Sequence, residues 1–148
     1  MVIDLLNGFK IDFLIGLGLS VLAGFLIGME REHKEKPAGI STHCFVIGGS
    51  MIFTYLSYII EPDFTSRIAA EVVAGIGFLG AGVILKGESE KRVTNLTTAA
   101  SIWFSAAIGM TIGFGFYILA IIAIIYAATV PWLPHISDVK RYIKKNKS

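Results

Sequence analysis

The chain has 148 residues, 54% of them hydrophobic and only 16% charged, with a mean hydropathy of +0.70 and a formal net charge of +2. Soluble domains carry about 25% charge; here the charges gather in short clusters between long uncharged stretches, a segregation that a bilayer enforces and a soluble core does not need. The polar sequence left between those stretches is too short for a second core, so one domain over residues 1–148 is expected. The lone cysteine, Cys44, excludes an internal disulfide, a Cys-rich zinc site and a CxxC redox pair.

The N-terminus has no basic leader and carries Asp4 and Asp12, so the first apolar run reads as an uncleaved span rather than a signal peptide. A spanning helix needs roughly 20 largely apolar residues. Residues 13–29, 43–60 and 68–85 fit, the last with one internal carboxylate, Glu71. Residues 96–133 carry no charge at all. As one helix they would measure about 57 Å, about twice the hydrocarbon core. They must therefore turn back, and the glycine-rich stretch 109–115 is the place. This gives spans 96–112 and 115–133, a helical hairpin, followed by a basic tail over 134–148. The expected fold is all-α: a polytopic membrane bundle of five helices.

Charge placement supports an odd number of passes. Arg31, Lys34 and Lys36 follow the first span, Lys86, Lys91 and Arg92 follow the third, and Lys140, Arg141, Lys144, Lys145 and Lys147 lie in the tail. Five passes put all of these on one side and leave only Lys10 and Arg67 on the other. Positive residues prefer the cytoplasm, so an outside N-terminus and a cytoplasmic C-terminus are expected, with Tyr126 and Trp132 as inner interfacial anchors.

Within lipid, helices associate through small residues that let backbones approach. The first span repeats them every fourth position at Gly16, Ser20, Gly24 and Gly28. The fourth does so at Thr97, Ser101, Ser105, Gly109 and Gly113, and the third is rich in them at Gly75, Gly77, Gly80 and Gly82. The fifth is bulky and isoleucine-rich. Spans one, three and four are expected to form a close-packed centre, with span five facing lipid.

The polar residues worth weighing are few. Lys34 and Lys36 read as solvated loop charges, but Glu30 and Arg31 directly follow Ile27, Gly28 and Met29, close to membrane depth, where charges are costly and tend to be paired or functional. Glu32 follows them, then a turn marked by Pro37 and Gly39, then Thr42. Glu71 has Arg67 one turn earlier on its face, which suggests an interfacial ion pair or, as the alternative, a cation site. Asn95 or Thr97 could cap the fourth span, and Thr98 and Ser101 add hydroxyls. The topology brings Glu30, Arg31, the 37–42 turn, the Gly80 and Gly82 end of span three, and Thr97 and Thr98 to one end of the bundle. The sequence has no phosphate loop, no HExxH and no nucleophile beside a base; His33, His43 and His135 are scattered. Neither an enzyme, a metal site nor a cofactor is expected. The basic tail suits anionic lipid, not nucleic acid.

Residues 26–32 (LIGMERE), Lys36, Pro37, Ala38 and Gly39 with Thr42 and His43, the string GIGFLGAGVI over 75–84, and LTTAAS over 96–101 occur in an order and spacing that resemble the MgtC/SapB family of bacterial membrane proteins. The resemblance covers roughly residues 10–130. Ser41 stands where members usually carry Arg, and Glu71 where many carry Gln. Some members add a soluble C-terminal domain, whose functions are not carried over. The resemblance implies a multi-pass inner-membrane protein connected with magnesium limitation and survival inside host cells, in which some members bind the membrane part of F-type ATP synthase. A non-enzymatic regulator is therefore expected, working through the bilayer with another membrane protein or a second copy of itself. The alternative is a small-ion or metabolite transporter.

Overall fold

A computed structural model describes residues 2–60, 63, 65–85 and 94–133. Five helices run in alternating directions: α1 (Val2–His33), α2 (Ile40–Ile60), α3 (Thr65–Leu85), α4 (Leu96–Gly113) and α5 (Tyr117–Thr129), the last continued by a 3₁₀ turn, Val130–Trp132. The described residues hold no strand. Four helices contain segments long and apolar enough to cross a membrane: Lys10–His33, Ile40–Ile60, Ser66–Ile84 and Leu96–Gly113. α5 is shorter; with its 3₁₀ extension it spans about 26 Å, most of a hydrocarbon core. The chain is a multi-pass membrane protein.

Helix boundaries differ from the apolar runs because capping, not hydropathy, ends a helix. α1 passes Met29 and stops only at His33, where Lys36 N–H donates to the Arg31 carbonyl and Glu35 N–H to that of Glu32. Glu35 takes the left-handed conformation (φ 52°) that this closure needs, and Pro37 follows, unable to continue the helix. α4 ends the same way, with Phe116 N–H on the Thr111 carbonyl, Gly115 N–H on that of Ile112, and Gly115 itself at φ +77°. Of the glycines over 109–115, only Gly115 makes the turn. Gly109 and Gly113 stay inside α4.

The centre of the bundle is α2, not the expected group of spans one, three and four. A Cβ added at Gly24 or Gly28 of α1 would run into the backbone of Cys44 or Ile40, and one at Gly16 would press on Met51. From the other side, a Cβ at Gly109 or Gly113 of α4 would strike the carbonyl of Ile47 or Met51. Thus the small-residue rows of α1 and α4 each receive α2 rather than one another. Ala23, Ile27, Ile47, Met51, Ile108, Ile112, Ala120 and Ile124 form the apolar core, which also takes in α5. The outer face of α5, including Ile118 and Ile122, is exposed, as suits lipid.

α3 stands apart. Ile76 is its one buried side chain among the described residues, packed with Val46, Ile102 and Ala106. Gly80 would place a Cβ 3.8 Å from that of Ala99, but Gly75, Gly77 and Gly82 face open space with nothing within 4 Å. Their expected packing within the chain is absent. Nor does Glu71 pair with Arg67: both are exposed, and among the described residues no ion pair joins them.

Candidate functional site

One end of the bundle gathers the close of α1, the start of α2, the close of α3, the start of α4 and the close of α5. The last turn of α1 carries Glu30 and Arg31, only 6% and 5% exposed. Glu30 Oε2 lies 3.2 Å from Arg31 Nε, and Glu30 Oε1 is paired with Lys34 one turn on. These contacts are ionic rather than aligned hydrogen bonds: neither Glu30 oxygen nor Arg31 Nε has a hydrogen-bond partner among the described residues. A carboxylate and guanidinium withdrawn from water this far lose several kcal/mol of hydration each, about 20 in the idealised limit, and their attraction only partly offsets it. Such a pair is a poor way to stabilise a fold. It is a good way to hold charge at a defined place in an apolar protein.

His43 lies within electrostatic reach of both charges and is fully buried. Its Nδ1 is 2.8 Å from Ser105 Oγ, a bond between α2 and α4, while Nε2 is buried without a partner. The sequence pattern that places it there is helical. His43, Ser50, Thr54 and Ser57 recur at steps of seven, four and three, one face of α2, and all four are buried. In a membrane helix a polar face must look inward. That periodicity was available in the sequence and was missed: His43 read as one of three scattered histidines, and Ser105 as a packing residue alone.

The neighbours are held by their own contacts. Glu32 is exposed, but its Oε2 accepts the Ile40 N–H at 3.2 Å, satisfying a free donor at the start of α2, and Gly39 leaves room for that carboxylate. Glu32 is therefore a positioning residue that sets where α2, and with it His43, begins. Pro37 is exposed on the turn, Thr42 half-buried. Lys34, read from sequence as a solvated charge, also donates to the Pro131 carbonyl at 3.0 Å and lies 5.3 Å from the centre of the Trp132 ring. It so ties the end of α1 to the end of α5, and this contact fixes both ends on the same side of the bundle.

α4 begins beside the end of α3. Asn95 occupies the cap position, but in a left-handed conformation (φ 63°), and its amide donates to the Val83 carbonyl at 3.5 Å instead of capping its own helix. Thr97 is exposed; Thr98 is buried and accepts a bond from Ser101 Oγ through its carbonyl. Glu71, by contrast, belongs to the opposite half of the bundle, on the exposed side of α3. Lys86, Lys91, Arg92 and residues 134–148, with most of the expected basic flank, lie outside the described residues. Among the described residues no three His, Cys, Asp or Glu side chains converge as metal ligands. The cluster is an assembly of ion pairs and hydrogen bonds in an apolar setting, suited to responding to charge.

Comparison with known proteins agrees with the sequence motifs. The MgtC family profile matches residues 17–137. Protein MgtC of Salmonella typhimurium is 43% identical over 103 residues, covering 70% of this chain and 44% of that protein. The putative magnesium transporter YhiD of Escherichia coli is 44% identical over 119 residues (74% of this chain, 54% of the relative), and protein SapB of Bacillus subtilis 36% identical over 133 (83% and 57%). The chain thus spans about half the length of the curated relatives it matches, and no solved structure matches it. Glu30, Arg31, His43 and Ser105 all fall within the stretch matched by that profile, and this chain belongs to the MgtC family.

Proposed function

We propose that this chain is a non-enzymatic regulator in the bacterial cytoplasmic membrane that links magnesium-dependent ion conditions to the activity of another membrane protein. The observation that carries the reading is the pair Glu30 and Arg31, 6% and 5% exposed at the end of a spanning helix, with fully buried His43 beside it. A charge cluster that is nearly water-free, yet one turn from the loop, responds strongly to changes in local charge because the low dielectric amplifies them. The names of the relatives, MgtC and putative magnesium transporter, support magnesium as the ionic context. The positive-inside pattern supports a cytoplasmic face for this end. The membrane part of F-type ATP synthase is the partner that the family resemblance puts forward.

Growth in low magnesium tests this. Glu30→Ala and Arg31→Ala should each fail to complement a strain lacking the protein while still inserting in the membrane, and Glu30→Gln, which keeps the volume, separates lost charge from lost shape. Full complementation by all three removes the basis for the site. The rival reading, a transporter, is favoured by the name of the Escherichia coli relative. Magnesium flux by the purified protein in liposomes, abolished by Glu30→Gln, would establish it and overturn the regulator.

A further inference from the structure

α3 packs against α4 and α2 along one narrow strip, and the rest of its described surface is uncovered within the chain. Its outward face carries Arg67, Glu71, Ala74, Phe78 and Gly82, spaced by four and three, and all are exposed, Phe78 by 82%. An outward face need only be greasy to suit lipid, as that of α5 is. This one differs in two ways.

The first is charge. Glu71 lies inside the spanning segment Ser66–Ile84, about 8 Å along the axis from Ser66. Among the described residues it is in no ion pair, even with Arg67 a turn away. A bare carboxylate against lipid is expensive, and such groups are ordinarily paired. The second is shape. α2 and α3 enclose an open groove of about 440 Å³. Its floor includes Gly49 and Gly75, where an added Cβ would touch nothing within 4 Å, and it is walled by Phe45 and Phe53, with Glu71 also lining it.

We propose that a second copy of this chain covers the face, its α3 running parallel to the first about a two-fold axis along the membrane normal. The choice of occupant rests on charge complementarity. The patch presents an acid and a base one turn apart, so its partner must present a base and an acid at the same spacing. A parallel two-fold copy sets identical residues at equal height, so acid and base meet on the diagonal, and both symmetry-related pairs form together. Arg67 of each copy reaches Glu71 of the other across a height difference of about 6 Å, within an arginine's length. Phe78 of each copy enters the other's groove over Gly49 and Gly75.

Cross-linking in native membranes tests this independently of the Glu30 cluster. In a Cys44→Ser background, Ala74→Cys with a short bismaleimide should give a dimer, and Ile118→Cys, exposed on α5, should not. Glu71→Arg or Arg67→Glu alone should lower the yield about tenfold, because both symmetry-related interhelical polar contacts are lost; combined, they should restore it. Gly75→Ile, which fills the groove without touching charge, should also lower it, so a charge variant that fails to insert leaves a second route. Equal yields at positions 74 and 118, a product containing a different protein, or single charge reversals without effect would each overturn the second copy as occupant.

Discussion

Gly109 and Gly77 look alike in sequence: each lies in a spanning helix among small residues. Their surroundings are opposite. A methyl on Gly109 would strike the Ile47 carbonyl, while one on Gly77 would meet nothing within 4 Å. The contrast extends to whole helices. α1 and α4 close on α2 from two sides and bury its polar face, whereas α3 rests on the bundle along one narrow strip, with Ile76 buried and Val72, Gly80 and Val83 half-buried. A row of small residues thus says that a helix is built for close approach but not to what. In α1 and α4 the approach is made inside the chain. In α3 it is left open.

The largest expected effect in the tight region is at its buried charges. Glu30→Ala leaves Arg31 at 5% exposure without its carboxylate, which should cost about 3–5 kcal/mol of stability. The double variant Glu30→Met with Arg31→Met should cost much less, because no lone charge remains buried. Thermal unfolding in detergent separates them; equal losses would mean that the pair is not what the site balances. Next comes Gly109→Ala. The added methyl meets a backbone carbonyl and Ser50 Cβ at 2.8 Å, so α2 and α4 must part, at about 1–3 kcal/mol. Smaller again is the bond between α2 and α4. Ser105→Ala and His43→Ala should show a coupling of about 1 kcal/mol in a double-mutant cycle, and strict additivity would show the 2.8 Å contact to be idle.

Much of this was legible in the sequence, for identifiable reasons. The five helices followed from apolar runs and one overlong block, because bilayer thickness is a fixed ruler. Glu30 and Arg31 stood out because charge next to a spanning run is costly wherever the chain goes. The central role of α2 was equally present, in the His43, Ser50, Thr54 and Ser57 spacing, because a polar face on a spanning helix must look inward. Other features could not be read at all. Lys34 meets the Pro131 carbonyl across 97 positions, a contact that depends on how α5 leaves the bundle. The opening of α3 is a matter of lateral position, which hydropathy does not encode. The Arg67 and Glu71 spacing permitted an intrahelical pair, but permission is not formation, and the two side chains remain apart.

The smallest expected effect is the one that most sharpens the contrast. Gly77→Ala and Gly82→Ala add methyls where nothing lies within 4 Å, so neither should clash within the chain. Each should change the unfolding midpoint of the detergent-dispersed monomer by an amount equivalent to about 0.5 kcal/mol or less, against the far larger loss at Gly109. A substantial loss at either position in the monomer would mean that α3 packs closely within its own chain after all. If the loss appears only in native membranes, where neighbours are present, the open face of α3 is occupied there. The same alanine thus reads internal packing in one setting and an external contact in the other.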